Sequence, residues 1–255
     1  MKYYSPGRKD RSGAQIHDML FAKAYCIKNN YKYIGCPIHT KETKKLVKYL
    51  NLQNNYRKIT PTQLNTKRLN PKKYRSADSK IFTPKIRNQI ISNFNKYEYN
   101  NDFTITCHIR RGDVNPTKYP NRYLYNKYYI DLLNKIIIYL ESICHITITI
   151  NICSESKSYE AFDIFKKKFP KCNLYLDSKL NKVYNLGINA DIFILSKSSF
   201  SFVPAFFNKN CVIYYPFWHK KLDNWIDYSA NDFDIQLKNK IKTLISQKNI
   251  NLISY

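Results

Sequence analysis

Cys107-His108-Ile109-Arg110-Arg111-Gly112-Asp113-Val114 brings an imidazole, two guanidiniums and a carboxylate into one short run. A guanidinium presents forked donors that match phosphate oxygens, so two in tandem point to a diphosphate guest. The Asp113 carboxylate suits either of two tasks: taking a proton from a hydroxyl, or orienting one of the arginines through an ion pair. Glu155 and His17 are the other candidate bases. Glu155 reads equally as a solvated loop acid, and His17 as an ordinary residue of the first helix. A second polar concentration, Ser196-Lys197-Ser198-Ser199-Phe200-Ser201, joins an apolar run to a helical one. One of its hydroxyls suffices to cap a helix. The others, with the free N–H groups of the helix start, suit a phosphate. The spacing is not that of a P-loop.

These groups need a scaffold that holds them at one edge. Residues 102–109 alternate, with Phe103, Ile105, Cys107 and Ile109 on one face of a strand and His108 and Arg110 on the other at its end. Arg111 and Asp113 follow in the loop. Downstream the pattern predicts helices near 125–140, 158–169, 179–186, 201–208 and 232–246. Strands are predicted at 146–152, 173–176, 191–195 and 211–215. This alternation predicts an α/β fold with a parallel sheet and helices on both faces. In such sheets ligands bind outside the carboxyl ends of the strands. The predicted ends are His108–Asp113, Ser154-Glu155, Asp177-Ser178, Ser196–Ser199 and Pro216–His219, each polar where an apolar run stops.

The first part is less regular. A short strand, a basic loop at 7–13, a helix with Ile16, Met19, Leu20, Ala24 and Ile27 on one stripe, a strand at 31–36 and a helix at 44–52 are predicted. Residues 53–82 are polar and receive no assignment. The expected organisation is a small α/β unit at 1–100 and a second α/β unit at 101–255.

The chain carries 43 Lys and Arg against 18 Asp and Glu, a net charge of +25. A polyanion such as nucleic acid is one reading of that excess. The basic residues are spread along the whole chain, and no zinc-finger, RRM or basic-helix pattern accompanies them. Abundant Lys, Asn, Ile and Tyr fit AT-rich codon usage instead. The seven cysteines have no CxxC pair, and several lie in apolar runs, as expected of reduced thiols in a cytoplasmic protein. No apolar stretch reaches membrane-span length. Asp232-Phe233-Asp234 has the form of a metal–diphosphate motif but sits at a predicted helix start, where acids are favoured by the dipole. No His/Cys cluster has ligand spacing, so no metal is expected.

His108-Ile109-Arg110-Arg111-Gly112-Asp113 resembles the HxRRxD signature of the α1,2-, α1,6- and protein O-fucosyltransferase superfamily. Ser12-Gly13-Ala14-Gln15 with the following helix is similar to that family's N-terminal segment. Ala190-Asp191-Ile192 with Ser198-Ser199-Phe200-Ser201 is similar to a late one. The resemblance implies a GT-B-like fold of two Rossmann-like units, the C-terminal one binding a nucleotide sugar. It implies an inverting transferase that moves fucose, or a related sugar, from a GDP-sugar to a glycan or other hydroxyl acceptor without a metal. On that basis His108, Arg110, Arg111, Asp191, Ser198, Ser199 and Phe200, with Gly13 and Gln15, are expected around the nucleotide sugar. Arg110 or Arg111 would grip the β-phosphate with help from Ser199. Two alternatives stay open: a basic nucleic-acid-binding protein without catalysis, and a degenerate transferase that only binds nucleotide sugar.

Overall fold

A computed structural model describes residues 1–56, 66–75, 79–99 and 101–253. Part of the unassigned stretch 53–82 therefore lies outside the described residues. The chain divides into two compact units, Met1–Tyr97 and Glu98–Tyr255.

In the first unit the described strands β1 (Lys2–Tyr4), β2 (Lys32–Gly35) and β3 (Thr66–Arg68) form a parallel sheet in the order β2-β1-β3. Helix α1 (Ser12–Lys28) lies at the centre and buries Ile16, Met19, Leu20, Ala22 and Ala24. Around it pack α2 (Lys41–Tyr49), α3 (Pro71–Arg75) and α4 (Pro84–Ile91). Local chemistry sets the helix starts. Thr40 accepts the Thr43 amide at 3.1 Å, so α2 begins three residues before the expected 44. Thr83 caps α4 with Pro84 in its first turn. β3, α3 and α4 had no expected counterpart. Their apolar residues are too few for a periodic signal; α3 and α4 form by packing on α1, and β3 by pairing with β1.

The second unit is a doubly wound sheet. Strands β4 (Phe103–His108), β5 (Ile148–Ser154), β6 (Asn173–Leu176), β7 (Ile192–Ile194), β8 (Cys211–Tyr214) and β9 (Ile226–Asp227) are all parallel, in the order β6-β5-β4-β7-β8-β9. Numbered within the unit this is 3-2-1-4-5-6, the Rossmann order. The direction of winding reverses between β4 and β7. The expected α/β class with parallel sheets is what the chain adopts.

On one face, α5 (Asn126–Ile143), α6 (Asp163–Lys168) and α9 (Phe233–Gln247) cover Phe103, Ile105, Cys107, Ile150, Ile152, Ile192 and Ile213. α7 (Leu180–Ile188) and α8 (Ser199–Phe207) pack together, and the Thr106 hydroxyl donates to the Leu186 carbonyl at 3.1 Å. Because both faces are covered, every residue of β4 is buried, its threonines included. All seven cysteines are buried and unpaired. α6 starts at Asp163 rather than near 158, because residues 155–161 form a loop with work of its own.

Candidate functional site

The crevice at the reversal point is walled by the loop after β4 and the loop joining β7 to α8. At the end of β4, His108 Nδ1 meets Ser196 Oγ of the second loop at 2.8 Å. Proton order follows from donor inventory. The Ser201 hydroxyl donates to the Ser196 or Ser198 carbonyl, at 3.0 and 3.1 Å, so at its 3.2 Å contact with Ser196 it accepts. Ser196 therefore donates to Ser201 and accepts from His108. This fixes the proton of neutral His108 on Nδ1. The ring is further braced by Phe200 at 4.9 Å, itself packed on Tyr184 at 4.8 Å.

The arginine pair divides. Arg110 is largely covered, 17% exposed, between two acids, ion-paired with Asp113 and with its Nη1 3.6 Å from Glu155. Arg111 does not face the crevice as expected; its side chain is 0% exposed. It donates to Glu160 at 3.1 Å, to Asn126 Oδ1 at 2.6 Å and to the Arg110 carbonyl at 2.9 Å, over the Tyr123 ring at 4.1 Å. A guanidinium so enclosed holds the loop rather than a ligand. The same Glu160 oxygen accepts the Tyr123 hydroxyl and the Asn126 amide, each at 2.9 Å. It thereby caps α5, whose own N-cap Tyr125 supplies no side-chain bond. Gly112 has φ +75, and an added Cβ would stand 2.2 Å from Glu155 Oε2. A side chain there is both strained and obstructed.

Across the crevice, Ser198 caps α8 by accepting the Phe200 amide at 3.1 Å. Ser199, the first residue of α8, meets His219 Nε2 at 2.7 Å. His219 comes from the loop after β8 and also receives the Trp218 indole N–H at 3.0 Å. Neither residue was expected in the site; the only sequence signal was the polar end of β8. Lys197, its pKa lowered by burial, reaches the Asn121 carbonyl at 3.2 Å and so ties the two walls together.

Asp191 is at the opposite end of the sheet. It precedes β7, accepts the Thr104 amide at 2.7 Å and pairs with Lys248 at 3.2 Å, tying the start of β4 to the start of β7. Its part is therefore in the core, away from the crevice. Burial raises its pKa, against the pull of the Thr104 amide and Lys248.

The remaining expected residues belong to the first unit. Gly13 and Gln15 lie in the opening turn of α1, where the Gln15 amide binds the Asp10 carbonyl at 2.5 Å and its oxygen the His39 amide at 3.3 Å. His17 is buried with its ring 4.8 Å from Phe21, surroundings usual for an interior histidine. Past the end of β2 is an open cavity of about 530 Å³, with Val47 and Leu52 apolar and His39, Lys44 and Lys48 basic. Among the described residues, no group of three or more His, Cys, Asp and Glu is placed to hold a metal.

Fold and crevice together define a doubly wound α/β unit with polar and charged side chains at its switch point. No family model matches the chain, and no curated protein matches it. Solved structures do. E. coli ADP-heptose LPS heptosyltransferase II is similar over 98% of this chain and 100% of its own, at 10% identity and a TM-score of 0.48. E. coli heptosyltransferase WaaC with ADP-2-deoxy-2-fluoro heptose covers 97% and 99%, at 8% and 0.45. POFUT1 in complex with GDP-fucose covers 82% and 70%, at 9% and 0.37. All three likenesses are distant.

Proposed function

We propose that this chain is an inverting glycosyltransferase that moves fucose, or a related sugar, from a GDP-sugar to a glycan or other hydroxyl acceptor, without a metal. The observation that carries the reading is the convergence on one switch-point crevice of Arg110, the His108–Ser196 pair and the Ser199 start of α8. Of these, the Arg110 guanidinium and the amides at the α8 start are donors suited to a diphosphate, while the His108–Ser196 pair braces the wall that carries them. The guanine and fucose assignments rest on the HxRRxD resemblance.

Cleaving the bond from the sugar carbon to the diphosphate leaves negative charge on the nucleotide. Arg110 and the α8 amides are positioned to meet that charge without reorganising a solvent shell. Arg110 is ion-paired with Asp113 and lies near Glu155. The incoming diphosphate takes over the guanidinium, which frees one of these carboxylates to receive the acceptor's proton as the new glycosidic bond forms on the opposite face. Asp113 is 57% exposed and Glu155 37%, so both are open to solvent and substrate. The +25 net charge would speed the encounter with an anionic donor.

Titration calorimetry with GDP, ADP and UDP, and turnover of GDP-fucose with and without EDTA, test the reading. GDP is expected to bind most tightly and EDTA to leave turnover unchanged. Equal affinity for all three would refute the guanine assignment and leave the diphosphate site. No binding of any of them would refute the site.

A further inference from the structure

The connection from β4 to α5 carries three arginines, and their partners divide them. Arg110 shares its charge with two carboxylates, Asp113 and Glu155, and Arg111 is paired with Glu160. Arg122 is exposed and is held differently. Among the described residues, neither a carboxylate nor a hydrogen-bond acceptor pairs with its guanidinium. The group lies instead over two aromatic rings, Tyr119 of its own turn at 5.2 Å and Trp218 of the loop after β8 at 5.0 Å. Rings hold a guanidinium by its faces, through cation–π attraction. Its N–H groups lie in the plane and stay available to an anion.

Trp218 sets that guanidinium beside the start of α8. The indole N–H reaches His219 Nε2 at 3.0 Å, the same nitrogen that Ser199 Oγ meets at 2.7 Å. On the other side, Lys197 reaches the carbonyl of Asn121, the residue before Arg122, at 3.2 Å. The contacts thus run from Ser199 through His219 and Trp218 to Arg122, and return through Asn121 to Lys197. β4 and β8 are not neighbours in the sheet, because β7 lies between them. The β4–α5 connection therefore crosses the end of β7 to bring Arg122 to Trp218.

We infer that Arg122 grips the diphosphate of the nucleotide sugar, with Tyr119 and Trp218 as positioning residues that hold its side chain ready. Engaging Arg110 disrupts ion pairs that it already makes; engaging Arg122 displaces only water. A long arginine side chain normally loses rotamer freedom when it binds. Two ring contacts restrict that freedom beforehand. Lys197 is the neighbouring cation, and burial lowers its pKa, whereas a guanidinium keeps its proton.

The inference rests on the reading of the crevice as a diphosphate site. The test is titration calorimetry with GDP, alongside Tm, on the whole chain. Arg122→Ala is expected to weaken GDP binding about tenfold or more with Tm unchanged, and to flatten the fall of affinity with added salt. Arg122→Lys keeps the charge but not the fork and should recover part of the loss. Trp218→Ala should weaken binding in the wild-type background and cost nothing further in Arg122→Ala, since the ring acts through the arginine. Trp218→Phe keeps a ring and should keep most of the affinity.

GDP affinity in Arg122→Ala within about twofold of wild type, while Arg110→Ala loses it, overturns the role of Arg122 and leaves the diphosphate site standing. A fall in Tm that parallels the loss of affinity overturns it too, by assigning Arg122 to the folding of the loop. Equal cost of Trp218→Ala in both backgrounds overturns the positioning role of the rings. A wild type that binds no GDP overturns the diphosphate site and the inference together.

Discussion

Replacing each arginine of the pair by alanine should break two different things. Arg111→Ala removes a side chain that is 0% exposed and leaves Glu160 25% exposed and without its cation. Breaking a buried ion pair from one side costs about 3–5 kcal/mol. Glu160 keeps the Tyr123 hydroxyl and the Asn126 amide and reaches some water, so the lower end applies, about 3 kcal/mol. In a unit of this size that lowers Tm by about 6–12 °C. Arg110→Ala should leave Tm unchanged, because the side chain lies at a strand end beside two solvated acids. It should instead weaken GDP binding by about 1.5–3 kcal/mol, roughly ten- to 150-fold in Kd. Scanning fluorimetry or calorimetry of both variants, with and without GDP, separates the effects. Arg111→Leu with Glu160→Gln should recover part of the lost Tm, since no unpaired charge remains. A Tm for Arg111→Ala within about 2 °C of wild type would refute the assignment of Arg111 to the scaffold. So would a loss of GDP affinity with no loss of stability.

Four further outcomes are expected. If Asp113 or Glu155 accepts the acceptor's proton, Asp113→Asn or Glu155→Gln keeps GDP affinity and loses turnover by about two to four orders of magnitude; parallel loss of affinity and rate in Asp113→Asn identifies an orienting role instead. Gly112→Ala, read by GDP titration and Tm, should disturb both, because its methyl collides with Glu155 in a φ that disfavours any side chain; wild-type behaviour would mean the loop is free to rearrange. Asp191→Asn should lower Tm and spare GDP binding, since Asp191 ties β4 to β7 at the far end of the sheet; a selective loss of GDP affinity would return it to the site. Burial pushes the Cys36 thiol up to about 11 and those of Cys26, Cys153 and Cys211 to about 12. Folded values above the unfolded one give stability that is fully present below about pH 8.5 and lost as pH rises through the folded values, so Tm should fall from about pH 8.5 upward toward pH 11–12, and less steeply in Cys→Ala variants.

The long periodic signals were legible in the sequence. The alternation in 103–109, the helical stripe of α5 and the Ile/Thr run of β5 each carry their own pattern, and the doubly wound sheet follows from their sequence. β3 and β9, only three and two residues long, hold no period to detect. In the crevice, residue types and strand ends were readable, so His108 and Ser196–Ser199 could be placed together. Which arginine turns inward was not, because adjacent residues of a loop carry no facial period. Arg111 is drawn inward by Glu160, nearly fifty residues away, and nothing local announces that partner. The distant late serine and His219 met for the same reason: separate loops converged at the end of a parallel sheet.

The single carboxylate oxygen of Glu160 has a consequence for how this site can change. It gathers Arg111 and Tyr123 from the connection after β4 and Asn126 from the start of α5, yet it belongs to the connection after β5. Two surface loops that would otherwise vary independently are thus one inherited piece. A graft of residues 109–126 into another scaffold would arrive without its anchor, and a shortened β5–α6 loop would unseat the neighbouring one. Directed evolution toward a new donor or acceptor should tolerate insertions around residues 115–118 while holding positions 111, 123, 126 and 160 as a block. In homologous chains those four positions should covary.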